Sequence, residues 1–454
     1  MEYFKIKENG SDVRKEIIGG ITTFLTMAYI IAVNANILGD PAVGMPAAAV
    51  VTVTCLTAGL TTIFMGLYAN LPFALASGMG LNAYFAYTVV IGMKVPWQVA
   101  LAAVFVEGVI FIILSLTSVR EAVVNAIPTT LKLAVTAGIG LFIAFIGFVD
   151  SGIVVTSKAT KVAMGNFTQP TVLITVIGVI IIVVLSKKKV RGAILWGIVA
   201  STLLAWLLTI VSPEAAATYR ISTPKGIFKF ESIAPIANKL DFSYLKDTSR
   251  ILDFLVIMLT FLFVDFFDTV GTLVGVASKV GMVDKDGNVK NCGRALLVDA
   301  VGTTAGAFLG TSTVTTYVES AAGFAEGART GLASVVTGTL FLIAMFFSPI
   351  FIAIPSCATA PALIVVGFFM MESIVKIDFS DFTEGVPAFL TISLMPLTYS
   401  IGDGLTIGIL SYAVLNLINN IFTRDASKRK KVSVVIYILA VLFILKLFFT
   451  GWNK

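Results

Sequence analysis

The feature that most constrains this chain is a succession of apolar runs, each long enough or nearly long enough to cross a lipid bilayer. A helix needs about 20 apolar residues to span the hydrocarbon core. We place fourteen segments, numbered in chain order, at 18–38, 47–68, 72–91, 97–117, 130–149, 171–186, 192–211, 251–275, 293–310, 314–328, 329–354, 357–373, 385–400 and 402–422. A further apolar run, 432–450, is either another crossing or a helix on the membrane surface.

Composition supports a polytopic membrane protein. The 454 residues are 57% hydrophobic and only 13% charged, whereas soluble domains are about 25% charged. A soluble fold of this composition would need one apolar core larger than single domains usually build. The three cysteines are scattered and predict neither a disulfide framework nor a metal site. The chain has no histidine, so any proton chemistry must use Asp and Glu.

The distribution of basic residues predicts an orientation in the membrane. The net charge is +6, but the basic residues lie in loops between apolar runs, which argues against nucleic-acid binding. Short loops rich in Lys and Arg stay on the cytoplasmic side. The loops KKKVR and TRDASKRKK both fall inside when the N-terminus is inside. We therefore predict a multi-pass protein of the plasma membrane with a cytoplasmic N-terminus.

The long polar loop 212–250 divides the chain into two halves with corresponding parts. Each half has a broken third element, LPFALASGMGLNAYF in segment three and TSTVTTYVESAAGF in segment ten. Seven segments per half is an odd number, so the halves lie in opposite orientations. We predict an all-α polytopic membrane fold of 14 transmembrane segments in two inverted seven-segment repeats. Such repeats with broken helices are typical of secondary transporters, which bind substrate at the repeat interface.

Segment eight contains two carboxylates, Asp265 and Asp268. Three residues apart, they lie on neighbouring parts of one helix face. A charge at the centre of a span costs roughly 2.5–3.5 kcal/mol, so both should face the protein interior. The alternative is a structural pair bonded to Thr hydroxyls or backbone amides of neighbouring helices. Asp299 in segment nine is a candidate for stabilising the site or coupling it to protons, and Glu107 in segment four is a weaker one.

Segment ten changes character at Glu319. The Thr- and Val-rich stretch before it prefers extended backbone, and the Ala-rich stretch after it prefers helix. A helix that begins near Ser320 would direct its free N–H groups towards a substrate beside Glu319. The alternative is that Glu319 caps its own helix. At the other end of the element, Glu326 and Arg329 are expected to pair with each other.

Segment three offers the equivalent stretch in the first half. Gly78 and Gly80 permit close backbone approach or positive φ. Asn82 offers both a donor and an acceptor to a substrate. Its alternative role is a hydrogen bond between helices.

These motifs resemble a known family. FVDFFDTVGTLVG and, further along, TVTTYVESAAGFAEGARTGL are similar to azaguanine-type purine permeases, a branch of the nucleobase–cation symporter-2 family. ITTFLTMAYIIAVNANIL and LPFALASGMGLNAYF match the same branch. The resemblance implies short antiparallel β-strands in segments three and ten. It also implies a core domain, residues 1–117 and 251–354, and a gate domain, residues 118–250 and 355–454, which often serves for dimerisation.

The resemblance also implies a set of site residues. The wider family often has a histidine at the position of Thr272, so here the carboxylates are left to handle protons. The expected substrate-binding residues are Asp268, Glu319, Asn82, Thr272, Tyr317 and Val318. The expected coupling residues are Asp268, Asp299 and Asp265.

We therefore predict a secondary active transporter, and not an enzyme, that takes up adenine, guanine and hypoxanthine. Proton symport with alternating access is expected, with Na⁺ as the alternative coupling ion and no cofactor or metal. The expected partners are the purine nucleobase, the lipid bilayer and a second copy of the chain through the gate domain, with no nucleic acid.

Two other functions fit parts of this pattern. An anion transporter or channel of the same fold would move sulfate or bicarbonate, but its site would favour a cation or bare helix ends over Asp268 and Glu319. An intramembrane enzyme would use an Asp pair, but such enzymes usually place the two acids on different helices, whereas Asp265 and Asp268 share one.

Overall fold

The computed structural model describes residues 2–116, 128–279, 291–423 and 430–451. Within them, all fourteen predicted segments are helices or broken helices in the predicted order, which confirms the fold class. Nine helices of the described residues are long and apolar enough to cross a bilayer.

The first half begins with a short 3-10 turn, Glu2–Phe4, and contains three strands between its helices. In chain order its elements are Val13–Met27, Tyr29–Leu38, Ala47–Phe64, π-helix Met65–Ala69, strand β1 Leu75–Ser77, Met79–Ala83, π-helix Tyr84–Gly92, Trp97–Leu116, Thr129–Ser151, strands β2 Val154–Ser157 and β3 Lys161–Met164, Pro170–Lys187 and Ala193–Val211. Two short helices, Pro213–Thr218 and Ser243–Lys246, lie in the long loop.

The second half repeats the pattern of the first. Its elements are Ile251–Lys279, Cys292–Leu309, strand β4 Val314–Thr316, Ser320–Ala325, Gly331–Ala344, Ser348–Ile352, Ser356–Met371, 3-10 turn Glu372–Lys376, Phe382–Leu397, Ile401–Phe422 and Val434–Gly451.

Prolines fix the starts of several helices. Pro170 and Pro213 occupy first helical positions, and Pro46, Pro128 and Pro355 directly precede a helix. Proline has no N–H, and the first turn of a helix does not use that donor. The helix limits therefore follow closely from the sequence at these positions.

The helices pack in two groups. In one group, segment four packs on segments eight and nine, segment two on eleven, and segment one on ten and eleven. In the other, segment five packs on twelve and thirteen, twelve on six and seven, and thirteen on fourteen.

The two broken segments meet as paired strands in the interior, as predicted. β1 and β4 are antiparallel, with Ala76 opposite Thr315, and every residue of both strands is buried. The pairing is extended at both ends, where Gly78 N–H donates to Thr313 O and Tyr317 N–H to Ala74 O, each at 3.0 Å. Gly78 has an ordinary negative φ, so it serves close approach: a Cβ there would lie 2.6 Å from Thr315 Cγ2.

Two threonines satisfy one residue on each outer edge of this buried pair. The Thr62 hydroxyl of segment two accepts from Leu75 N–H at 2.9 Å and contacts Leu75 O at 3.0 Å. The Thr303 hydroxyl of segment nine accepts from Val314 N–H at 3.1 Å and donates to Val314 O at 2.9 Å. Each half thus supplies one hydroxyl from the helix beside its own strand.

Three features of the structure differ from the sequence-based predictions or were not among them. Segment one is interrupted at Ala28 by a single turn residue that keeps right-handed helical φ and ψ, and no proline or glycine stands there. The strands β2 and β3 form a hairpin after segment five that the sequence reading did not single out. The last apolar run is a helix that packs on segment fourteen.

Before this last helix, a hydrogen bond from Lys430 Nζ to Asp381 Oδ2, 2.5 Å long, holds the pKa of Asp381 below its usual value.

Thr303→Val should lower the stability of the purified protein, because it leaves the N–H and C=O of Val314 without their partner. A buried backbone group without a hydrogen bond costs about 1–3 kcal/mol. We expect Thr303→Ser to keep most of the stability, and Thr62→Val to resemble Thr303→Val. Thr339→Val is the control, since that exposed hydroxyl bonds only a carbonyl of its own helix. Thermal unfolding in detergent checks this, and equal midpoints for Thr303→Val and the control would refute it.

Candidate functional site

Five acidic residues from four segments gather beside the strand β4. Glu107, Asp265 and Asp299 are fully buried, while Asp268 and Glu319 are only partly buried. Asp268 and Glu319 lie close enough for their carboxyl groups to interact electrostatically. The two acids that the sequence predicts to bind substrate are therefore the two of this group with partly accessible side chains.

Glu319 is held by a tyrosine of segment one. The Tyr29 hydroxyl donates to Glu319 Oε1 at 2.6 Å, and Tyr29 is the first residue after the interruption at Ala28. Glu319 directly precedes the helix that begins at Ser320, but its side chain makes no capping hydrogen bond to that helix. The expectation of a helix starting near Ser320 is confirmed, and the alternative role as a cap is not realised.

Threonine hydroxyls connect the acids of segments eight and nine to β4. Thr269 donates to Asp299 Oδ1 at 2.9 Å, and its hydroxyl lies 2.7 Å from that of Thr315. Thr315 also interacts with Asp268. The alternative of a structural role for the segment-eight acids is thus met in part, because Asp268 contacts a Thr hydroxyl.

The residues before Glu319 differ in their surroundings. Tyr317 is buried, and its hydroxyl donates to Ser77 O of the facing strand at 2.5 Å. Val318 is 52% exposed and adjoins Glu319 on the open side. Thr272, one turn after Asp268, is buried on segment eight. Of these three, Val318 is the one with an accessible side chain.

Asn82 is fully buried and joins the two broken segments. Ser312 donates a short hydrogen bond to Asn82 Oδ1, and Asn82 Nδ2 donates to Ser77 O at 3.4 Å. These contacts correspond to the alternative role, a hydrogen bond between elements. Gly80 beside it lets segment five approach, since a Cβ there would lie 2.5 Å from Ile139 Cγ2.

The expected pairing of Glu326 with Arg329 is wrong. Arg191, at the start of segment seven, contacts Glu326 Oε2 at 2.5 Å. Arg329 instead donates to the carbonyls of Phe324 and Ala328, in and just after the short helix Ser320–Ala325. Backbone acceptors of its own turn therefore outcompete the nearby carboxylate.

Four residues of the site were not predicted from the sequence: Tyr29, Thr269, Thr303 and Thr315. Tyr29 carries the one detectable signal, a polar aromatic residue within an otherwise apolar stretch, MAYIIAV. The threonines carry none, because membrane helices contain many threonines that bond only their own helix.

The family model and the relatives similar in sequence indicate one family. Residues 14–406 match the permease family designated Xan_ur_permease. The guanine/hypoxanthine permease PbuG of Bacillus subtilis is 44% identical over 454 residues, covering 98% of this chain and 99% of that protein. The adenine permease AdeP of Escherichia coli is 39% identical over 446 residues, covering 98% and 95%. The transmembrane domain of the cyanobacterium bicarbonate transporter BicA shares the fold, with a TM-score of 0.65 at 14% identity, covering 87% of this chain and 97% of that one.

Tyr29→Phe should destabilise the protein through Glu319, because it removes the hydroxyl that donates to this carboxylate. A hydrogen bond to a charged group contributes roughly 1.5–3 kcal/mol. A double-mutant cycle with Glu319→Ala, which removes the acceptor, is read by thermal unfolding and isolates this pair from other effects of each substitution. We expect a coupling energy of that size, and strictly additive effects would show that the two side chains do not interact.

Proposed function

The chain belongs to this permease family, whose members are transporters and not enzymes, and we propose that it takes up adenine, guanine and hypoxanthine by proton symport. The named relatives of similar length are permeases for adenine and for guanine and hypoxanthine. The resemblance noted in the sequence is thereby confirmed at the level of the family.

The observation that carries the proposal is the pair of partly buried carboxylates, Asp268 and Glu319, beside the paired strands. Purines are flat and neutral and are rimmed with N–H donors and N or O acceptors. A carboxylate can accept two adjacent N–H groups, and charge-assisted hydrogen bonds of this kind are among the strongest. Tyr29 orients Glu319 for such contacts. Val318 offers an apolar surface at the same opening.

Alternating access follows from a movement between the two helix groups. We assign segments one to four and eight to eleven to a core, and segments five to seven and twelve to fourteen to a gate. Their packing into two groups supports this division. Contacts such as Gly80 against Ile139 and Arg191 with Glu326 join the two groups. These contacts would have to change as the substrate passes from one side to the other.

Proton coupling would work through the charge of the site. Protonation of a carboxyl among Asp265, Asp268 and Asp299 lowers the negative charge beside the nucleobase. A neutralised, occupied site crosses a region of low dielectric constant at a smaller cost than an empty charged one. Na⁺ is the alternative coupling ion, and the same transport assay distinguishes the two.

The fold is shared with a bicarbonate transporter, but a likeness of fold does not carry a substrate. An anion beside Asp268 and Glu319 would be repelled by both carboxylates. The site chemistry therefore favours a neutral nucleobase. We further propose a cytoplasmic N-terminus, from the basic loops, and a homodimer through the gate.

Reconstituted protein in liposomes with an inward proton gradient should take up labelled adenine, guanine or hypoxanthine. Glu319→Gln and Asp268→Asn should abolish this uptake while leaving the unfolding midpoint near that of the wild type. Glu372→Gln, at an exposed position, is the matched control and should transport normally. Absence of uptake of all three purines would overturn the substrate assignment, and uptake indifferent to the proton gradient, or driven by Na⁺ instead, would overturn the coupling assignment.

A further inference from the structure

A second layer of acids lies behind Asp268 and Glu319, and Glu107 of segment four is at its centre. Glu107 is 0% exposed. Among the described residues, no N–H or O–H donor bonds either of its carboxyl oxygens, and Asp265 Oδ1 and Asp299 Oδ2 likewise receive no such bond. A buried polar group left in this way is costly. This cost indicates that a proton is bound within the group of acids.

Close helix packing places Glu107 between segments four, eight and nine. Its neighbour Gly108 contacts segment nine so closely that a Cβ would lie 2.5 Å from Thr304 Oγ1. One turn further, Phe111 packs edge-on against Phe266 of segment eight, with ring centroids 5.6 Å apart. The Thr304 hydroxyl donates to Ala300 O at 2.8 Å. It is therefore already used within its own helix.

The carboxyl group of Glu107 is positioned for a side-chain hydrogen bond with that of Asp265. Two ionised carboxylates have only acceptors, so they cannot bond each other. One proton between them supplies the donor and removes most of the repulsion, as in other close carboxyl pairs. The ion pairs of the described residues include none of these acids. The other charged groups that act on the pair are Asp299 and Asp268, both acidic.

We propose that Glu107 and Asp265 share one proton and that this pair is the proton-binding site of the transport cycle, one layer behind the nucleobase. This inference rests on the proposed symport. A carboxylate of the pair gains a proton from a hydronium ion on the outer side, so that its O–H bond forms as one O–H bond of hydronium breaks. On the inner side the carboxyl O–H bond breaks as the proton binds a water molecule.

The pair has a route to the substrate side. Asp265 precedes Asp268 by three residues on the same helix, so the charge of one affects the other. Thr303 lies 3.5 Å from Asp265 Oδ2 and holds the backbone of Val314 in β4. Loss of the proton would therefore act on Asp268 directly and on the strand that leads to Glu319.

Transport by Glu107→Gln separates coupling from binding. With an inward gradient of one pH unit and one proton per substrate, wild-type protein should accumulate hypoxanthine about tenfold, since one pH unit is a tenfold ratio of proton concentrations. Glu107→Gln should accumulate none above the outer concentration. It should nevertheless bind hypoxanthine with the wild-type Kd and exchange labelled for unlabelled hypoxanthine at equal pH. Glu372→Gln should keep the wild-type accumulation.

Infrared spectroscopy gives an independent readout of the shared proton. The wild-type spectrum should contain the C=O band of a protonated buried carboxyl, and Glu107→Gln should lose it while Glu372→Gln keeps it. If Glu107→Gln does not fold, Asp265→Asn removes the other half of the pair and is measured in the same way, with the same expected loss of accumulation.

Four results would overturn the inference. The first two are that Glu107→Gln accumulates hypoxanthine as the wild type does, or that it no longer binds hypoxanthine. The other two are that the wild type lacks the infrared band, or that its transport does not depend on the proton gradient. The last also overturns the symport, whereas a wild type that transports no purine but keeps the band contradicts the proposed substrate alone.

Discussion

At membrane depth every backbone N–H and C=O must find a partner inside the protein, since lipid offers none. This requirement governs the two broken segments. β1 and β4 satisfy each other along their shared edge, and the hydroxyls of Thr62 and Thr303 satisfy Leu75 and Val314 on the outer edges. Because these groups are paired, the chain can leave the helical state there and restart a helix at Ser320. The position of Glu319 beside an opening depends on that interruption.

The same device occurs once in each half. Thr62 belongs to segment two and Thr303 to segment nine, and each lies next to the strand of its own half. This correspondence is what an inverted repeat predicts for equivalent segments. The acids do not follow the symmetry. Glu107 comes from the first half, while Asp265, Asp268, Asp299 and Glu319 come from the second. The scaffold is therefore repeated, and the charged chemistry is concentrated in one repeat.

Much of the fold could be predicted from the sequence because it rests on strong local signals. Length and apolar character fix the segments, and the change from Thr- and Val-rich to Ala-rich sequence predicts the start of a helix near Ser320. The interruption at Ala28 carries no such signal, since neither proline nor glycine marks it. The partners of the site residues were harder to foresee. Arg191 is distant in sequence from Glu326, and Thr303 is one of many threonines. Which of them bonds a strand depends on tertiary packing alone.

The most direct measurement of the central claim is an experimental structure of the protein with bound hypoxanthine. The nucleobase should lie between Asp268 and Glu319, with its N–H groups directed at these carboxylates. Glu107 and Asp265 should remain in contact behind it, within hydrogen-bond distance of each other. A nucleobase bound away from both Asp268 and Glu319, or directly against Glu107, would contradict the account.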